Sequence, residues 1–121
     1  MSAAKSSSYP GAGGADPASS AIDGNIDTWA MTGAVTSAPQ PGGKNWVSVE
    51  VQPERPLGWI SVTNRNDQWQ YFLDTYEVWA GESFGDYDSA TSVKCGPTMT
   101  DHKTAVTKWS RCPEAAKSFV T

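Results

Sequence analysis

Between residues 46 and 51 the chain alternates: Val47, Val49 and Val51 fall on one side, Trp46, Ser48 and Glu50 on the other. Successive side chains of an extended strand point to opposite faces, so a period of two predicts a half-buried β-strand with its valines toward the core. Residues 59–63 repeat the pattern with Ile60 and Val62 on one face. Residues 75–80 set Tyr76, Val78 and Ala80 against Thr75, Glu77 and Trp79. Shorter strands are expected near 91–95, 104–109 and 118–121, and residues 6–9 are expected to pair at a sheet edge. Pro53 and Pro56 break the chain between the first two strands, Asp23-Gly24-Asn25 signals a tight turn, and 32–44 and 81–89 read as loops. A short helical turn is expected over 18–23, docking Ala21 and Ile22 on the core. Many short strands at even spacing, with no helix beyond two turns and no internal repeat, predict an all-β fold: a sandwich or jelly roll of antiparallel sheets.

Composition agrees. Gly and Pro are abundant, Leu is scarce, and 121 residues suffice for one domain over 1–121 with a real core. The net charge of −4, with only nine Lys and Arg, argues against binding to nucleic acid, which needs a basic patch. It also argues against a purely electrostatic hold on anionic lipid. No apolar run approaches a membrane span, and the polar start is expected to lie after a removed signal segment. Cys95 and Cys112 read as one disulfide or as two buried free thiols. A bridge would imply an oxidising compartment, hence the secretory pathway or the extracellular space.

The chemistry concentrates in residues 64–71. A β-branched run stops at Asn64, and Arg65, Asp67, Trp69 and Tyr71 follow within seven residues. A guanidinium donates in a fork, a carboxylate accepts, and an indole covers an apolar face, a combination that suits a sugar. Arg65 and Asp67, two apart on an extended segment, point the same way, so they either contact a ligand or brace the loop as a salt bridge. Trp69 and Tyr71 serve as a platform or as core. Trp59, Trp79 and Trp109 alternate against aliphatics, so some must lie on an outer face or under a loop, and an apolar outer patch would mark a partner surface. Catalysis is not expected. The lone imidazole, His102, sits in a polar stretch; there is no nucleophile elbow, zinc spacing or phosphate loop; and Asp86 and Asp88 fall in a polar loop.

Several segments together resemble a known family. Residues 6–9 (SSSY), 21–25 (AIDGN), 28–29 (TW) and 45–51 (NWVSVEV) follow the order of discoidin-like domains, also called coagulation factor V/VIII type C or galactose-binding-like domains. Residues 64–67 (NRND) followed by 76–81 (YEVWAG), with the two late cysteines, are most similar to the F-type lectin, or fucolectin, branch. The resemblance spans about residues 4–121 and implies a jelly-roll β-sandwich with ligand loops at one end.

It also implies a non-catalytic module that binds a carbohydrate. Arg65 and Asp67 match the sugar-contacting Arg and Asp. The family's His position falls near Ser37 and its second basic position near Phe72, departures that argue against ordinary fucose recognition. A structural calcium is implied, with Asp23 as side-chain ligand and Asn25 and Ser20 as carbonyl ligands; Gly33 and Ala34 sit where others fall. The matching late Glu lies on a strand that runs past Thr121 in typical members, and Glu114 is a poor substitute. The chain therefore reads as truncated, or as leaving an open edge that another copy or a partner strand fills, or as having shed the strand and re-covered the edge. The alternative function is an adhesion or scaffold module that binds protein or lipid, its sugar site decayed.

Overall fold

The computed structural model describes residues 2–6, 17–25, 27–28, 30–32, 44–51, 56–68, 73–100, 106–113 and 117–121. Its strands are β1 (Ala3–Lys5), β2 (Val47–Glu50), β3 (Trp59–Thr63), β4 (Thr75–Tyr76), β5 (Trp79–Gly81), β6 (Val93–Lys94), β7 (Met99–Thr100), β8 (Thr107–Arg111) and β9 (Phe119–Val120). One sheet has the order β1-β2-β9-β5-β6; β3 pairs with β8, and β4 with β7. Every pairing is antiparallel. The helical content of the described residues is one 3-10 turn, Ala18–Ala21. The expected all-β, antiparallel sandwich is what forms.

The core is small and sits under the disulfide. Val78, Ala80, Cys95 and Cys112 are buried, and Leu57, Ile60, Val62, Tyr76, Val93 and Val120 pack against them. Cys95 and Cys112 are bonded to each other across a separation of 17 residues. This decides between bridge and free thiols. The bridge ties the end of β6 to the end of β8, and backbone bonds from Cys95 N to the Val78 carbonyl (2.7 Å) and from Cys112 N to the Gly58 carbonyl (2.8 Å) hold both cysteines in place.

Four expectations change. The edge strand forms at Ala3–Lys5, ahead of residues 6–9, of which Ser6 alone is described; Ser6 N extends the pairing to the Trp46 carbonyl at 2.9 Å. Ala21 is exposed rather than docked, and only Ile22 is half-buried. In β2 the fully enclosed residue is Ser48, while Val47 and Val49 are half-exposed. The Ser48 hydroxyl meets the Thr121 hydroxyl at 2.9 Å, which satisfies a polar group that burial would otherwise penalise. Finally, residues 75–80 are not one strand. Thr75–Tyr76 pairs with β7, whereas Trp79–Gly81 joins the large sheet.

Residues 119–121 do not lie at an open edge of the described sheet. Val120 stands opposite Val49 on one side and Ala80 on the other, so β9 is an interior strand. Reciprocal bonds of 2.8 Å between Trp79 and Thr121 extend the pairing to the last residue. No partner strand is needed beside β9.

The 81–92 loop is ordered around Asp86 rather than slack. Its carboxylate accepts from Glu82 N (2.8 Å), the Ser89 hydroxyl (2.5 Å) and the Thr91 hydroxyl (2.8 Å). Burial opposes its charge, but the Ser89, Glu82 and Thr91 donors, helped by Lys117, hold its carboxyl below the usual range. A Cβ on Gly81 would lie 2.6 Å from the Asp86 Cβ, so this close approach requires glycine.

Candidate loop-end site

β3 ends because Asn64 turns the chain. Asn64 N still donates to the Val106 carbonyl (3.1 Å), continuing the β3–β8 pairing, while its side-chain oxygen accepts from Arg65 N at 2.9 Å. Buried Asn64 thereby anchors the 64–67 loop at the Thr63 end of the ribbon.

Arg65 grips Asp67. Nε donates to Oδ1 at 2.6 Å and Nη2 to Oδ2 at 2.5 Å, a two-pronged fork. Nη1 faces the Met31 sulfur at 3.6 Å. The Arg65 side chain is only 10% exposed and that of Asp67 28%. The guanidinium is therefore largely enclosed rather than open to water. Same-side placement two residues apart lets the carboxylate meet the fork in-plane, and a guanidinium this enclosed needs such a counter-charge. Arg65 forks Asp67, the more accessible member of the pair.

A second loop joins this one. Asn66 Nδ2 donates to Asp27 Oδ1 at 2.7 Å. The Met31 carbonyl accepts from Lys5 Nζ at 2.8 Å, so the 30–32 segment is held between β1 and Arg65. Within residues 23–28, Asp23 Oδ1 accepts from Asn25 N (2.8 Å) and Asp23 Oδ2 from the Thr28 hydroxyl (2.6 Å). The Thr28 bond above all, with Asn25 N, lowers the Asp23 pKa from its ordinary value. Of the expected calcium ligands, Asp23 and Asn25 bring oxygens to one spot, since the Thr28 hydroxyl also lies 3.0 Å from the Asn25 carbonyl. Ser20 lies in the 3-10 turn just ahead. Calcium takes six or more such hard oxygens, so these residues fit part of a shell. Among the described residues no group of three or more His, Cys, Asp and Glu is placed to hold a metal. Trp69, Tyr71, Ser37, Phe72, Gly33, Ala34, Trp29, Glu114 and His102 lie outside the described residues.

A polar cluster that the sequence did not single out surrounds Glu77. Oε2 accepts from the Trp79 indole at 3.0 Å; Oε1 accepts from Lys94 and from Thr98, each at 3.1 Å; and Lys44 approaches Oε2 to 3.5 Å. The Trp79 N–H first, then Lys94, hold the Glu77 pKa down from 4.5 to about 2, against a smaller opposing effect of burial. A carboxyl whose folded pKa is depressed stabilises the fold fully above its unfolded value. That contribution fades as pH falls through the folded value. The stability difference between wild type and Glu77→Gln is therefore expected to be full above pH 4.5 and to shrink toward pH 2. Denaturant melts across that range check it; a difference independent of pH would contradict the assignment.

The comparisons place this architecture. The F5/8 type C domain profile matches residues 2–120. The crystal structure of the F5/8 type C domain of a Bacteroides fragilis protein is similar in fold, with a TM-score of 0.67 at 23% sequence identity; the match covers 98% of this chain and 78% of that one. No curated protein matches the chain. Domains of this kind are generally non-catalytic binding modules and occur typically in extracellular proteins.

Proposed function

We propose, given that the chain belongs to the F5/8 type C domain family, that it is an extracellular carbohydrate-binding module of the F-type lectin kind, taking its glycan at the loop end of the sandwich. The observation that carries this reading is the linkage of the 64–67 loop to its neighbours: Arg65 forks Asp67 and faces Met31, while Asn66 holds Asp27. Hydroxyl recognition needs donors and acceptors held at fixed positions before the ligand arrives. In this reading Asp67 accepts from a sugar hydroxyl and Arg65 positions Asp67. Ser37, Trp69 and Tyr71 supply the remaining contacts, the aromatics as a stacking face. A single shallow site of this size binds weakly, so avidity comes from repeated modules or oligomers. A glycan array read with wild type and the Arg65 variants tests the proposal.

Calcium belongs to the same reading. An ion held by Ser20, Asp23 and Asn25 would replace the Thr28 hydroxyl as the group that gathers those oxygens, tightening the loop against Asn66. Millimolar calcium is expected to raise the melting temperature of chelator-treated protein and to have no effect on Asp23→Asn. Saturation at a hundred times the dissociation constant would add about 2.7 kcal/mol. An unchanged wild-type melt removes the metal from the reading.

The enclosure of Arg65 favours a second reading, a module for protein or lipid adhesion whose sugar site has decayed. An array without hits, from a protein that melts normally, would select it.

A further inference from the structure

The outward face of the β3–β8 ribbon carries Trp59, Ser61 and Thr63 on one strand and Thr107, Trp109 and Arg111 on the other. Trp59 is 61% exposed and Trp109 60%. The register pairs Trp59 with Arg111 and Ser61 with Trp109, so the two indoles are diagonal neighbours. Neighbours of that kind lie about 7–8 Å apart, within reach of aromatic side chains. Two adjacent exposed indoles on a flat face are unfavourable in water unless something covers them.

Beyond Arg111 the face runs into a hollow of about 350 Å³ lined by Lys94, Gly96, Arg111, Cys112 and Pro113. The buried disulfide ties its two walls together, the Cys95–Gly96 turn and the end of β8. Gly96, with φ +69°, takes a backbone conformation that favours glycine and turns the chain back toward Ser110 and Arg111. Among the described residues lining the hollow, the charged ones, Lys94 and Arg111, are both cations. Arg111 is exposed and makes no ion pair among the described residues, while Glu77 is shared by two lysines, Lys94 and Lys44. The six outward residues include no carboxylate, in a chain of net charge −4.

We propose that this face and hollow form a second binding site, for a glycan chain that carries carboxylates. The indoles of Trp59 and Trp109 stack on the C–H faces of successive pyranose rings, Ser61 and the Thr63–Thr107 hydroxyls border the chain, and Arg111 with Lys94 receives a uronate carboxylate at the hollow. The carboxylate is what separates this ligand from a neutral sugar, and an exposed guanidinium in no ion pair among the described residues is its natural partner. The charged pole of the site, Arg111 with Lys94, is separate from the loop end. Arg111 and Trp59 lie at the opposite end of the ribbon from Asn64, roughly 16 Å away at about 3.3 Å per residue. The site does not rest on the loop-end reading.

Calorimetric titration with polygalacturonate and with its fully methyl-esterified form tests the proposal. The acid form is expected to bind and the ester to bind at least about tenfold more weakly. Trp59→Ala, Trp109→Ala and Arg111→Gln are each expected to weaken binding of the acid form about tenfold while melting like wild type, and Ser83→Ala, at an exposed loop position in neither site, to bind it as wild type does. All four positions are read on protein whose melting is recorded, so loss of fold is told apart from loss of site. Equal binding of ester and acid, or wild-type binding by both Trp variants, overturns the proposal. Capture by phosphatidylserine vesicles that depends on Trp59 and Trp109, without polygalacturonate binding, overturns it in favour of a membrane surface. Failure of the Arg65 variants on the glycan array, with polygalacturonate binding intact, bears on the loop end alone.

Discussion

Removing the Cys95–Cys112 bridge is expected to lower the melting temperature by about 10–15 °C. The bond closes a loop across a separation of 17 residues, and a loop near this size restricts the unfolded chain by about 3 kcal/mol. For a domain of this length each kcal/mol moves the midpoint by roughly 3–5 °C. The location adds to the effect. Both sulfurs are buried among Val78 and Ala80, in a core with few other fully enclosed side chains, and they hold the end of β6 against the end of β8. The double variant Cys95→Ala, Cys112→Ala, melted beside wild type with and without reductant, measures the effect. Reductant should shift wild type and leave the variant where it is. A wild-type shift below about 3 °C would mean that sheet pairing alone fixes this end of the sandwich. The hollow beside Arg111 and Lys94 should loosen in step, since its walls are joined by the same bond.

Arg65→Ala is expected to destabilise the fold by about 2 kcal/mol, the usual worth of hydrogen bonds to charged groups in a half-buried setting, and to abolish glycan binding at the loop end. Both effects come from one geometry. The fork fixes Asp67, and the guanidinium, 10% exposed, fills the space beside Met31. Without it Asp67 has lost its two short donors and the 30–32 segment one of its contacts. Arg65→Lys keeps the charge but cannot present two parallel N–H groups, so it should recover part of the stability and little of the binding. Asp67→Asn should retain much of the fold and lose the hits. Thermal melts and one glycan array for the three variants separate these outcomes. Wild-type array hits from Arg65→Ala would end the proposal for the loop end, and wild-type melting from the same variant would show that the fork contributes only what an exposed pair does, about 0–1 kcal/mol.

Legibility differed from element to element. Residues 59–63 were readable because one face of β3 meets the core and the other meets water, so Ile60 and Val62 turned inward and Trp59 outward as the alternation implied. Residues 46–51 misled because Val47 and Val49 on one face and Ser48 on the other are all at least half-buried, and alternation alone does not tell which face is enclosed more. Ser48 is the buried member because Thr121, distant in sequence, completes its hydrogen bond. Residues 75–80 looked like one strand because local pattern carries no information on which sheet a segment joins; Tyr76 and Trp79 pair with strands that follow them by more than ten residues. At the loop end the choice between brace and ligand contact for Arg65 was open in sequence, and the approach of Met31 and Asp27 from a separate loop decided its surroundings.

By itself the sequence determined the class of fold, the family and the residue types gathered at residues 64–67, because period-two patterning, turn residues and short motifs are local properties of the chain. The tertiary structure alone decided that Phe119–Val120 is an interior strand, that Arg65 is enclosed, and that Trp59, Trp109 and Arg111 share a face ending in a hollow. Each of these depends on contacts between segments far apart in the chain, whose pairing is set by the closing of the whole sandwich.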